Sequence, residues 1–182
     1  VLIDPDTLDT LDDRQKSSGL AEAVKAGLIA DPELFAMFED FANTRAPLDL
    51  EKIIAASLIV KKAVVEQDER ESGLRKILNF GHTIGHGIES VTGLLHGECV
   101  AMGMIPMCSP AVRSRLLPVL GALHLPARVH ADPEEVYHAV LHDKKMGDGY
   151  VSVVSVDSIG SYKIQKVDPA VLRYGIDVVV RL

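Results

Sequence analysis

Three histidines, His82, His86 and His96, fall within 15 positions, in a run that also holds Arg75, Asn79, Glu89 and Glu98. Neutral imidazole is a good ligand for zinc, and a catalytic zinc commonly has three protein ligands and one open position. His82 and His86 are four residues apart, so one helix carries both on the same face. His96 follows a turn expected at Thr92-Gly93. Helical histidines at this spacing share one metal in H-E-x-x-H enzymes. Here the residues between them are Thr83, Ile84 and Gly85, with no acid, which disfavours metalloprotease chemistry. Hydrogen-bonded structural histidines are the plain alternative, and three together beside an arginine, an asparagine and acids weigh against it. Spacing leaves open which two histidines bind a metal, and what supplies the third ligand.

The elements that must position these residues read mostly as helix. Ser17 or Ser18 can cap a helix running to about Ile29, with Glu22 and Lys25 one turn apart. Asp31-Pro32 starts a second, ending before Arg45-Ala46-Pro47. Asp49 can cap a long third helix through Val65, with Lys61 and Lys62 near its end, where cations suit the helix dipole. A further helix from about Leu74 is expected to carry Arg75, Asn79, His82, His86 and Glu89 at spacings of four, three, four and three. That polar stripe, backed by Ile77, Leu78, Phe80 and Ile84, predicts a helix bordering a solvent-filled cleft. Gly81, Gly85 and Gly87 weaken it by roughly 1 kcal/mol each relative to alanine, which points to the close approach of a backbone or ligand. Another helix starts around Gly97 and is kinked or ended by Pro106 and Pro110. Asp132-Pro133 starts the next. Residues 150–156 and 162–167 read as a β-hairpin, and Asp168-Pro169 begins a short terminal helix.

Composition narrows the function classes. The 182 residues are 47% hydrophobic, enough for a sizeable core. A formal net charge of −7 argues against a general nucleic-acid binder. Cys99 and Cys108 give no disulfide framework, so a reduced, cytoplasmic setting is the simplest context. No apolar run approaches the ~20 residues that span a bilayer, so no membrane partner is expected. No G-x-G-x-x-G phosphate loop occurs.

The run from Asp68 to Glu98 resembles the signature of 3-dehydroquinate synthase, a family grouped with the sugar-phosphate cyclases and the metal-dependent alcohol dehydrogenases. The resemblance extends to residues 1–11, Ser18 to Lys25, Val60-Lys61, Asp68 to Glu71, His96 to Glu98 and Asp143 to Lys145, in order. It implies a mainly α fold: the multi-helical, metal- and substrate-binding C-terminal domain over residues 1–182, with a small hairpin near 150–167. Residues 1–5 are then the remnant of a junction with an N-terminal NAD-binding α/β domain. Exposed apolar surface is expected where that domain packs, which would favour self-association, including a homodimer.

Residue by residue, the resemblance implies that Glu22, His82 and His96 hold Zn2+ or Co2+, with His86 unliganded. Glu71 and His86 are implied as proton-transfer groups. Lys25, Lys61, Arg75, Asn79, His86 and Lys144 are implied to bind 3-deoxy-D-arabino-heptulosonate 7-phosphate, a sugar-acid phosphate; Lys145 is an alternative to Lys144. Thr7, Leu8, Asp9 and Thr10 are implied to touch NAD. The implied reaction oxidises the C5 hydroxyl transiently, eliminates phosphate, returns the hydride, opens the ring and closes the carbocycle by an aldol step to 3-dehydroquinate. A metal serves there as Lewis acid and template. The isolated chain is expected to be inactive. A 2-deoxy-scyllo-inosose synthase-like cyclase and a metal-dependent polyol dehydrogenase are the alternatives.

Overall fold

The computed structural model describes residues 3–70, 73–143 and 149–182. A 3-10 run, Pro5–Thr10, leads into α1 (Asp13–Ala30), α2 (Pro32–Thr44) and α3 (Leu50–Gln67). A second 3-10 run, Leu74–Asn79, precedes α4 (His82–Thr92) and α5 (His96–Met104). A 3-10 turn at Ile105–Met107 links to α6 (Pro110–Ala122), followed by β1 (Val129–His130) and α7 (Pro133–Asp143). Strands β2 (Val151–Ser155) and β3 (Lys163–Val167), then α8 (Ala170–Val179) and β4 (Val180–Arg181), complete the chain. The mainly α expectation holds, as does the hairpin: β2 and β3 pair antiparallel from Val151 opposite Val167 to Ser155 opposite Lys163. The parallel pair of β1 with β4 was not legible, because two-residue strands carry no periodicity. Among the described residues no helix is long and apolar enough to cross a membrane.

Helix α5 is the centre of the fold. Every residue from Gly97 to Met104 is buried, and all of them but Glu98 are uncharged. It packs against α1 and α4, and the core continues through Phe35, Phe38, Phe80, Leu116, Val136 and Ile176. Local chemistry sets several boundaries as read. The Asp31 carboxylate accepts from the Glu33 and Leu34 amides at the start of α2, and Arg45 ends that helix with φ 59°. Asp49 caps α3, which runs two residues past Val65.

Two expectations fail for physical reasons. Helix α1 begins at Asp13 with Asp12 as its cap, so Ser17 and Ser18 lie inside it. The Asp12 carboxylate accepts from the Gln15 amide at 2.9 Å, and a carboxylate also suits the positive end of the helix dipole. The predicted single helix from Leu74 is instead broken at Phe80-Gly81. Gly81 adopts φ +78°, a left-handed conformation that no helix continues through. The break allows close packing on α5: a Cβ on Gly103 would lie 1.9 Å from the Gly81 oxygen, and one on Gly81 would lie 2.8 Å from the Val100 oxygen. The glycines do mark close backbone approach, but the polar stripe is not one continuous helical face.

Candidate functional site

The junction of α1, α4 and α5 gathers the chemistry. His82 is the first residue of α4 and His96 the first of α5; Glu22 lies mid-way along α1. His82 Nε2 is 3.7 Å and His96 Nε2 3.8 Å from the same oxygen, Glu22 Oε1. That oxygen is buried and has no hydrogen-bond partner. Its twin, Oε2, accepts from Lys25 Nζ at 2.5 Å. A buried carboxylate oxygen left without a donor costs on the order of 1–3 kcal/mol, so one facing two imidazole nitrogens marks a place for a cation.

Both imidazoles are held from behind. His82 Nδ1 lies 3.1 Å from the Phe80 carbonyl oxygen, and His96 Nδ1 lies 2.9 Å from Glu89 Oε2. Each acceptor selects the tautomer protonated at Nδ1 and leaves a lone pair on Nε2, the usual second layer of a metal site. Burial, with the neighbouring Lys25 acting the same way, pushes His82 down to about 4, so the ring is neutral near pH 7. Burial raises the Glu22 carboxyl, but Lys25 and the two histidines outweigh it and hold the group below its ordinary value. Two imidazole nitrogens and one carboxylate oxygen are a zinc-type donor set. In a tetrahedral site with bonds of ~2.1 Å the ligand atoms stand ~3.4 Å apart, slightly closer than the 3.7 and 3.8 Å seen here. The residues present fit a divalent metal.

A second set overlaps the first. Ligand atoms of His82, His86 and His96 all lie within 4.8 Å of one another. The His86 ring sits 5.2 Å from that of His82 and 5.8 Å from that of His96. The Glu22 set alone accounts for the buried oxygen without a partner.

A cleft of about 720 Å³ opens beside this centre. Glu22, Lys25, Lys61, Arg75, Asn79 and His82 are among its polar lining, and Leu8, Leu11, Leu20, Ile53 and Leu58 among its apolar lining. Four of the expected substrate-binding residues therefore meet in one cavity, although α1, α3 and the Leu74–Asn79 run supply them separately. Lys25 is buried; its ammonium donates to Glu22 and to the Leu78 carbonyl at 2.8 Å. Burial pushes its pKa down, with Glu22 acting against that. Arg75 lines the cleft from the start of the Leu74–Asn79 run, where Asp68 Oδ2 accepts from the Gly73 and Arg75 amides at 2.8 and 2.9 Å. The Arg75 guanidinium donates to the Glu69 carbonyl at 2.9 Å. His86 lines a separate hollow of about 250 Å³ with Ser90, Ala139 and His142. Glu71, Lys144 and Lys145 lie outside the described residues.

Of Thr7, Leu8, Asp9 and Thr10, Leu8 lines the cleft. The Thr7 and Thr10 hydroxyls donate to the Asp4 and Thr7 carbonyls within their own 3-10 run. These four residues offer an edge, and by themselves they do not build a dinucleotide pocket.

Sequence reading passed over the supporting contacts: Glu89 behind His96, the Phe80 carbonyl behind His82, and Arg14, which binds Glu98 through Nε at 2.6 Å and a terminal nitrogen at 2.8 Å. Glu89 had a signal, being on the polar stripe, but its partner is on another helix. Arg14 had none.

Residues 19–146 match the family model for the 3-dehydroquinate synthase C-terminal domain. A 3-dehydroquinate synthase of Geobacter sp. (strain M21) is 41% identical over 182 residues, covering 91% of this chain and 50% of that protein. The 3-dehydroquinate synthase of Enterococcus faecalis (strain ATCC 47077 / OG1RF) is also 41% identical, over 90% of this chain and 50% of its own length. The chain thus spans about half the length of the curated relatives it matches. Among solved structures, 2-epi-5-epi-valiolone synthase from Streptomyces hygroscopicus subsp. jinggangensis 5008, with NAD+ and Zn2+ bound, superposes with a TM-score of 0.81 at 27% identity, over 96% of this chain and 54% of that one. A 2-deoxy-scyllo-inosose synthase complexed with carbaglucose-6-phosphate, NAD+ and Co2+ gives 0.77 at 25% identity, over 92% and 53%.

Proposed function

The chain belongs to the 3-dehydroquinate synthase C-terminal family, and on that footing we propose that it is the metal- and substrate-binding part of a 3-dehydroquinate synthase. The substrate is 3-deoxy-D-arabino-heptulosonate 7-phosphate, and the products are 3-dehydroquinate and phosphate. The observation that carries this reading is Glu22 Oε1, buried without a hydrogen-bond donor and faced by the Nε2 atoms of His82 and His96. Glu22, His82 and His96 would hold Zn2+ or Co2+, the ions named with the two solved neighbours. A metal there supplies Lewis acidity and a fixed point for the substrate's oxygens.

The chain's own residues do the rest of the binding. Lys25, Lys61 and Arg75 all line the cleft and would give it the positive charge that a carboxylate and a phosphate ester require. Arg75 suits bidentate contact with one of those anions, and the lysines act as point charges. Asn79, in the same lining, can donate to one substrate oxygen and accept from another. His86, whose ring lies beside those of both metal-facing histidines although it lines the neighbouring hollow, would move a proton to or from a substrate oxygen. Glu71 and Lys144 keep their assignments as second proton-transfer group and phosphate or carboxylate contact. Transient oxidation of a ring carbon is chemistry that a nicotinamide would supply, and this chain's share of that site is the Thr7–Thr10 edge.

A substrate panel tests the reading. A protein carrying this chain with the remainder of a 3-dehydroquinate synthase is supplied with NAD+ and with the heptulosonate phosphate, with glucose 6-phosphate or sedoheptulose 7-phosphate, which lack the carboxylate, or with the polyol glycerol. Phosphate release and net NADH are followed. Phosphate from the heptulosonate alone, with no net NADH, is expected. Preference for a sugar phosphate without the carboxylate would move the chain to the other cyclases, and net NADH from a polyol would make it a dehydrogenase.

A further inference from the structure

Arg14, Ser18 and Glu22 recur every four residues along α1, so they share one face of that helix. Each meets the next residue back along the first turn of α5. Arg14 grips Glu98 through two nitrogens. The Ser18 Oγ accepts from the Gly97 amide at 3.1 Å. Glu22 Oε1 faces His96 Nε2. The three contacts form a ladder whose last rung is half of the metal centre.

From this we infer that Arg14, Ser18 and Gly97 are positioning residues, setting the α1–α5 register that brings Glu22 and His96 to a common metal. The inference rests on the metal reading above. Backbone contact makes the ladder stiff: a Cβ on Gly97 would lie 1.9 Å from the Ser18 carbonyl oxygen, so a side chain there forces the helices apart. Glu98 also accepts from the Leu95 amide at 3.0 Å, so the carboxylate gripped by Arg14 closes the turn that presents His96. Ser18 satisfies one of the amides that a helix N-terminus leaves without an intrahelical partner. Arg14 is some 60% exposed, and an exposed ion pair by itself contributes little to stability. Its effect is therefore geometric and is read at the metal. Supporting contacts of this kind typically change metal affinity 10- to 100-fold.

The molecule contains a matched control. Arg115 grips Glu39 through two nitrogens at 2.7 and 2.6 Å, joining α6 to α2, and neither residue lines the cleft. Co2+ is titrated into the wild-type chain, Arg14→Ala and Arg115→Ala, reading both affinity and the visible absorption of bound cobalt, with melting temperature alongside. Arg14→Ala is expected to weaken Co2+ at least 10-fold and alter its spectrum, whereas Arg115→Ala stays within about 2-fold with the wild-type spectrum. If Arg14→Ala does not fold, Arg14→Lys serves, since it keeps the charge and loses the paired donors; a several-fold loss is expected. Equal affinity and spectrum for Arg14 and Arg115 variants would overturn the inference alone. A folded wild-type chain that takes up no Co2+ would overturn the metal reading, and this inference with it.

Discussion

Changing Arg75 to lysine is expected to lower kcat/KM for the heptulosonate phosphate about 10²-fold, a loss of about 2.7 kcal/mol in transition-state binding, while bound zinc stays stoichiometric. The measurement belongs on a protein carrying this chain with the remainder of the enzyme. Arg75 lines the cleft with Lys25, Lys61 and Asn79, whereas the metal-facing atoms come from Glu22, His82 and His96. Ammonium keeps the charge but loses the planar pair of donors that matches a carboxylate or phosphate. The side chain also loses its bond to the Glu69 carbonyl, so the replacement is less rigidly held. Because Gly81 breaks the chain between Arg75 and His82, a change at Arg75 is not transmitted along one helix to the metal. Unchanged efficiency, or zinc lost together with activity, would remove Arg75 from substrate recognition.

Single substitutions should separate the two overlapping ligand sets. His96→Ala removes a nitrogen common to both and is expected to abolish stoichiometric Zn2+ binding by the chain. Glu22→Gln and His86→Ala discriminate. With Glu22 as ligand, Glu22→Gln loses most affinity, because a neutral amide replaces an anionic oxygen, and His86→Ala largely preserves it. Zinc content after dialysis, with circular dichroism to confirm folding, reads the result. Loss in His86→Ala with retention in Glu22→Gln would instead assign the three-histidine set.

How much of this was legible follows from where each contact is made. Helix α2 was readable almost to its ends, because Asp31, Pro32 and Arg45 act on their own neighbours. The pairing of His82 with His86 was readable because a helix fixes it, and their rings do lie 5.2 Å apart. The hairpin at β2 and β3 was readable from alternation and turn residues. The start of α1 was misread because Ser17 and Ser18 looked like caps, while Asp12 caps the helix and Ser18 serves α5 across the structure. The break at Gly81 was missed because the spacing of Arg75, Asn79, His82 and His86 fits helical periodicity equally well, and what interrupts it is contact with Val100, Gly103 and Met104. Glu22 reached the list of ligands through family resemblance alone. It lies 60 residues before His82, and nothing local ties them.

The most direct test of the metal centre is anomalous diffraction at the zinc edge from crystals of the chain grown with Zn2+. A single strong peak within ~2.0–2.2 Å of Glu22 Oε1, His82 Nε2 and His96 Nε2, with the His86 ring outside bonding distance, is the predicted result. A peak bonded to His82, His86 and His96 with Glu22 still paired only to Lys25, or no peak at this junction at saturating zinc, would contradict it.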